Sequence, residues 1–441
     1  MREGKSLIAR ILILGLLGVL LGTIPQAAAG RARRKRKGEV PPEVLGIERK
    51  LEELAAQGST GLSRAFRLYC TVENSRRFEE AERYRLHRSL LEAIRKHSGS
   101  GTVGVLKRTL RSSSKMFFPA RVVAMKALLE RKLPLERSER VKLLKELARS
   151  KDLQTFIWAV RLLGKARWSE AVEALVELLG EFQGSSGKNF VRRSIVGTEL
   201  YRVLGNLVRP GAAAGEVKAA WEKLGRKVPA KPDYSPGLSG SGRTVSFFGD
   251  VISPLSVFAI DHSTSMLQKV RLSLSGHGTV TGKKKGGERG NREQKVLIVK
   301  RELIRMIRSL TEDYRFNILC YNAKVYPWRA LRLHAANSSN KASAEKFVKE
   351  FEVNRGTNIY QAMKTAFMIR GVETIYLLSD GSPSVGGRQP EIERLVRVKN
   401  YLRAVRVVTY GFTPEGRGAF DEAFMKRLAS ENWGWYRRLN K

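Results

Sequence analysis

The sequence predicts an α/β fold class: a C-terminal doubly wound, mostly parallel sheet preceded by an N-terminal all-α helical-repeat domain. Three observations predict it. Apolar residues recur at three- and four-residue steps from Val44 to about Leu224, the period of amphipathic helices. A Pro-, Gly- and Ser-rich stretch, VPAKPDYSPGLSGSG from Val228 to Gly242, then breaks that pattern. Beyond it, short unbroken apolar runs alternate with helical segments, as strands do in a sheet covered on both faces.

The elements follow in chain order. Arg2, Lys5 and Arg10 precede an uninterrupted apolar run from Ile11 to Ile24, and PQAAAG follows. The run is short for a membrane-spanning helix. With small residues near Ala29 it reads as a signal peptide over residues 1–29. The cluster RARRKRK comes at once afterwards, inside a basic segment of residues 30–43. Such a cluster resists translocation, so an uncleaved N-terminal anchor is the alternative. Either reading places the rest of the chain outside the cytoplasm: periplasmic, secreted or held at a membrane.

Residues 44–227 read as helices throughout, in segments such as AFRLYC, SLLEAI, ARVVAMKALLE and VKLLKELA. RLLG at Arg161–Gly164 returns 41 residues later as RVLG at Arg202–Gly205, and each is followed by a second amphipathic segment, AVEALVELLG or EVKAAWEKLG. A helix pair repeating at about forty residues is the period of HEAT-like solenoids, whose stacked pairs offer a long surface for a protein partner. An ordinary helical bundle is the plainer alternative.

Residues 228–243 form the linker, and residues 244–441 the α/β domain. SVFAID, YRFNILCY, AKVYPW, TIYLLSD and AVRVVTYGF read as strands. KVLIVKRELIRMIRSL places Val296, Val299, Leu303, Met306 and Leu310 on one helical face. AEKFVKEF, IYQAMKTAFM and FDEAFMKRLASE are further helices. Residues 267–294, rich in Gly and Lys, interrupt the domain directly after its first strand.

Composition bounds the function. At 441 residues, 42% of them hydrophobic, the chain has material for roughly two to four packed domains. Lys and Arg number 82 against 42 acids, a formal +40, which favours anionic partners or surfaces. No module specific for nucleic acid is recognisable. Lys283, Lys284 and Lys285 in the insertion are candidate contacts to an anionic partner, with a solvated loop as the plainer reading. Two cysteines, Cys70 and Cys320, cannot build a zinc site, and both fall among apolar neighbours as small buried hydrophobes. The five histidines are scattered. His262 flanks the first strand's acid and reads as a neighbour without a catalytic role. A phosphotransferase of the haloacid dehalogenase type would carry a second acid where Ser263 stands. GHGTVTGKKK lacks the spacing of a phosphate-binding loop, and no Gly-x-Ser-x-Gly elbow appears. The chain reads as a non-enzyme.

What remains is the end of VFAIDHSTSM. In open α/β sheets, ligands bind beyond the carboxyl ends of the strands. Asp261 sits at such an end, followed by Ser263 and Ser265. Asp380 closes TIYLLSDGSP, and Thr357 in NRGTN opens a helix. Two carboxylates and three hydroxyls offer only oxygen, the preference of a hard divalent cation such as Mg²⁺. If the acids reach the cation largely through water, its immediate ligands are nearly neutral. The cation then stays electrophilic towards a carboxylate from outside.

Asp-x-Ser-x-Ser, a later Thr in Gly-Thr-Asn and a later Ser-Asp-Gly-x-Pro resemble the three parts of the metal-ion-dependent adhesion site of the von Willebrand factor type A domain. The resemblance covers roughly Val245 to Leu439. It implies a Rossmann-like fold and a cation, Mg²⁺ or else Mn²⁺ or Ca²⁺, held by Asp261, Ser263, Ser265, Thr357 and Asp380. It also implies a protein partner that offers Asp or Glu to that cation. VSFFGDVISPLSVFAID is similar to bacterial members in which helical repeats precede this domain. Thr264 stands where the motif often has Gly, and the long basic insertion is foreign to the common domain. Two other functions stay open: an adaptor for an ATP-driven assembly, and attachment to a polyanion or cell surface through charge.

Overall fold

The computed structural model describes residues 40–182, 187–208, 212–232, 234, 245–271, 292–412 and 421–440. The signal-like residues 1–29, most of the basic segment and Lys283–Lys285 lie outside the described residues. So do residues 272–291 of the insertion and most of the Pro/Gly/Ser-rich stretch. The chain divides into two compact units, Met1–Leu162 and Leu163–Lys441.

The described residues of the first unit are helical, joined by short turns. It contains α1 (Pro42–Ala56), α2 (Gly58–Asn74), α3 (Glu80–Lys96), α4 (Ser100–Arg111), α5 (Phe118–Ala127), α6 (Arg137–Leu147) and most of α7 (Leu153–Ala166). Pro at the first turn of α1 costs no hydrogen bond. At α3 the Glu79 N–H donates to Glu82 Oε2 at 2.8 Å, half of a capping box. Val44, Ile47, Leu51 and Leu54 of α1 are buried on one face. His87 is a core histidine: burial, then the nearby Lys126 charge, hold it well below its ordinary range. Its ring nitrogens lie 2.7 Å from Tyr69 Oη and 2.8 Å from Lys126 Nζ. Both cysteines are free and buried, and burial pushes the Cys70 thiol up to about 12. Among the described residues no helix is long and apolar enough to cross a membrane.

The second unit starts inside α7 and continues through α8 (Ser169–Glu181), α9 (Gly187–Leu204) and α10 (Ala214–Lys223). α8 packs against both α9 and α10. A short hairpin follows, β1 (Ser246–Phe247) paired antiparallel with β2 (Asp250–Val251). The sheet proper begins at β3 (Leu255–Asp261). It continues with β6 (Arg315–Tyr321), β7 (Val325–Pro327), β8 (His334–Ala335), β9 (Thr374–Ser379), β10 (Arg406–Gly411) and β11 (Tyr436–Arg438). The spatial order is β11-β10-β9-β3-β6-β7, with β8 also paired to β6. β3, β6, β9, β10 and β11 run parallel, and β7 and β8 run antiparallel at one edge. A second small ribbon pairs β4 (Lys269–Val270) with β5 (Glu293–Gln294).

Helices cover both faces: α11 (Lys295–Ser309), α12 (Ser338–Glu350), α13 (Ile359–Met368), α14 (Gln389–Asn400) and α15 (Glu422–Ser430). Side chains alternate across each strand, so each central strand feeds two cores. Phe258, Ile260, Ile318, Tyr376 and Tyr410 pack with Val296, Val299, Leu303 and Met306 of α11. Val257, Ala259, Leu319, Ile375 and Leu377 pack with α13, α14 and α15. The expected α11 face is therefore the buried one. Tyr201 of α9 joins the first of these cores.

Chain order decides where a ligand can sit. From β3 the chain first builds β6 on one side, then crosses back to build β9 on the other. Strand order therefore reverses between β3 and β9. The crevice beyond their carboxyl ends is where open α/β sheets bind ligands, and Asp261 and Asp380 flank it.

Candidate metal centre

Asp261 is the last residue of β3 and is fully buried. Its Oδ1 accepts the Ser263 N–H at 2.8 Å, and its Oδ2 accepts the Ser379 hydroxyl at 2.7 Å. Burial, then the Asp380 charge, push this carboxyl up to about 7 against those two hydrogen bonds. After Ser263 the chain turns through a short 3-10 segment, Thr264–Leu267. Ser265 donates to Asp380 Oδ1 at 2.6 Å. Its single proton is thereby committed, so Ser263 is the donor across the 2.9 Å between the two serine hydroxyls. Asp261, Ser263, Ser265 and Asp380 thus share one connected cluster.

The second oxygen of Asp380 is taken by an internal cation. Lys295 Nζ donates to Asp380 Oδ2 at 2.8 Å and to Gln268 Oε1 at 2.9 Å. The Lys295 backbone N–H also bonds Gln268 O at 3.0 Å. The β4–β5 ribbon, which carries the insertion, is therefore fastened beside Asp380.

Thr357 arrives on a separate loop. The Asn354 N–H bonds His262 O at 3.0 Å and the Asn358 N–H bonds Asn322 O at 2.8 Å, laying this loop along the ends of β3 and β6. Gly356 precedes Thr357 because its φ is +89° and a Cβ would lie 2.9 Å from Ala323 Cβ. The Thr357 N–H donates to Ser384 Oγ at 2.9 Å, and Ser384 N–H returns to Thr357 O at 3.1 Å. Thr357 is buried, and its hydroxyl makes no hydrogen bond to the other four among the described residues.

Asn358 accepts the Gln361 N–H at 3.0 Å and caps α13. Gly386, at φ +88°, lies where a Cβ would come 2.1 Å from Asn358 Oδ1. Gly386→Ala should cost about 2–3 kcal/mol, from left-handed strain and a displaced cap. Denaturant unfolding of the variant checks this, and a loss under about 0.5 kcal/mol would contradict it.

His262 points elsewhere. Its ring stands edge-on to Phe351 with centroids 4.4 Å apart, and burial drops its pKa to about 4. It is packed as a neutral ring. Sequence reasoning missed Ser379, Lys295, Gln268 and Ser384. Ser379 had a signal: a hydroxyl at the end of the otherwise apolar strand TIYLLS. Lys295 opens the helical segment KVLIVKRELIRMIRSL, and no local pattern singles it out.

Among the described residues no group of three or more His, Cys, Asp or Glu side chains gathers. The candidate centre instead combines two desolvated carboxylates with hydroxyls. Burial, and then the charge of Asp380, keep the Asp261 carboxyl raised. An all-oxygen donor set of this kind suits a hard divalent cation.

Residues 290–438 match the family model of the von Willebrand factor type A domain. The α/β part of the chain is a domain of this type. The match takes in Thr357 and Asp380 and starts downstream of Asp261, Ser263 and Ser265. Human von Willebrand factor A domain-containing protein 3B is 27% identical over 149 residues, 34% of this chain and 11% of that protein. Human inter-alpha-trypsin inhibitor heavy chain H4 is 26% identical over 198 residues, 42% of this chain and 19% of that one. The chain therefore spans less than a fifth of either relative. A solved von Willebrand factor type A structure from Catenulispora acidiphila is similar at 17% identity with a TM-score of 0.32, covering 42% of this chain and 38% of that one.

Proposed function

We propose that the C-terminal domain is a binding module that takes a protein partner by an acidic side chain, through a divalent cation at the switch-point crevice. The observation that carries this reading is the linked cluster of Asp261, Ser263, Ser265 and Asp380, two of them buried acids, where strand order reverses between β3 and β9. Asp261, Ser263, Ser265, Thr357 and Asp380 would hold Mg²⁺, or Mn²⁺ or Ca²⁺ in its place. The cation would supply an electrophilic position for the partner's Asp or Glu. The chain's own residues fix the oxygens in place: Ser379 and the Ser263 amide orient Asp261, and Ser384 holds the Thr357 loop. In the same reading the protein works outside the cytoplasm, led there by residues 1–29, and its helical repeats offer a second protein surface.

Thermal unfolding of the full chain with and without Mg²⁺, Mn²⁺ or Ca²⁺ tests the cation. Binding to the native state alone stabilises by about 2.7 kcal/mol at a hundredfold excess over Kd. A rise in Tm that EDTA reverses and Asp380→Ala abolishes is the expected result. No shift with any of the three cations up to millimolar concentration would overturn the reading.

A further inference from the structure

The crevice already contains a positive charge. Lys295 and Asp380 form an ion pair at 2.8 Å in which the side chains are 1% and 0% exposed. A buried charge is tolerated only when paired and hydrogen-bonded. The ammonium meets this with Asp380 Oδ2 and Gln268 Oε1. Resting on the cation-binding reading above, we propose that Lys295 is a positioning and specificity-determining residue for this centre. In the free protein it serves as Asp380's counter-ion and so competes with a divalent cation.

Charge sets the balance. Asp261 and Asp380 together match a divalent cation. The Lys295 ammonium, held beside Asp380 by Gln268, is then in excess. A like charge within a few ångströms weakens cation capture. It equally leaves the loaded centre positive, which favours a carboxylate from outside over water or a neutral donor. The weak point of the free protein and the selectivity of the loaded one share a single cause.

Calorimetric titration of the full-length protein with Mg²⁺ alone, after EDTA treatment and at pH 8, tests this. Lys295→Gln removes the charge while its amide can still donate to Asp380; Lys295→Met is the second variant should the first not fold. Both should bind Mg²⁺ about tenfold more tightly than the parent, the order of effect of one charge at close range. Both should also melt below the parent in EDTA, with the gap closing as Mg²⁺ is added. A merely structural lysine would leave the same gap at every Mg²⁺ concentration. Binding by the variants but not the parent supports the proposal. Equal or weaker binding by the variants, with the parent binding normally, overturns the role of Lys295 and leaves the cation reading standing. No binding by any of the three proteins, with Mg²⁺ or with Mn²⁺ or Ca²⁺ in its place, overturns both.

Discussion

Asp250→Ala is expected to destabilise the α/β unit by at least 3–5 kcal/mol, the cost of leaving one member of a buried ion pair alone. Asp250 lies in the β1–β2 hairpin and is fully buried. Its carboxylate accepts Arg437 Nε at 2.9 Å, a second Arg437 N–H, Tyr410 Oη at 2.9 Å and Trp435 Nε1 at 3.2 Å. Tyr201 Oη lies 3.5 Å away, at the limit of a hydrogen bond. The variant strands the Arg437 guanidinium, which is 4% exposed at the side chain, together with the Trp435 indole N–H, and leaves Tyr410 Oη only Phe247 O at 3.4 Å. Those losses share one partner and will not add independently. Against a total stability of about 5–15 kcal/mol, the domain should be marginal. Denaturant unfolding gives the number, and a loss under 1 kcal/mol would show that Asp250 is dispensable. Pairing Asp250→Leu with Arg437→Met should recover much of the loss, since apolar replacements of a buried pair are often neutral.

Asp261→Asn should do the opposite when no divalent cation is present. The folded carboxyl titrates at about 7, raised by burial and then by Asp380, whereas an unperturbed aspartate titrates near 3.9. The unfolded chain therefore releases this proton first. Below about pH 4 the group costs nothing. Between pH 4 and 7 the folded state is progressively penalised, and above pH 7 the penalty is constant at roughly 2–4 kcal/mol. Asparagine has no charge to bury. Its carbonyl oxygen can still accept the Ser263 N–H, and its amide can donate to Ser379 Oγ, which turns from donor to acceptor. In EDTA at pH 8 the variant should be more stable than its parent, with the difference vanishing near pH 4. Any cation-induced rise in Tm should be lost with it. Urea unfolding at pH 5 and pH 8 decides this. A variant weaker than the parent at pH 8 in EDTA would mean that the ionised carboxylate is itself the stabilising species.

These two acids also mark how far the sequence was readable. A parallel strand buried on both faces shows as an apolar run, and an acid ending such a run is conspicuous; Val257–Asp261 and Ile375–Asp380 satisfied both conditions. The face of α11 was legible because its 15 residues repeat the helical period four times. The two-residue strands β1, β2, β4, β5 and β8 are shorter than any period. Asp250 was invisible as a hub, because its strongest partner stands 187 positions away and no local pattern announces a pairing at that distance. The same holds for Lys295 and Asp380, 85 positions apart. It holds also for α9, whose Glu199 meets Arg406 across 207 positions in a pair 0% exposed on both sides.

That last pair has a mechanical consequence. Arg406 is the first residue of β10, and in register it is level with Thr374 and Ser256, the entry ends of β9 and β3. Asp261 and Asp380 stand at the exit ends, about 15–20 Å away along the strands. α9 therefore grips the pole of the sheet opposite the crevice. Tension applied between α9 and anything held in the crevice would run along the strands. The hydrogen bonds between β3, β9 and β10 would then be loaded together in shear, not peeled one after another.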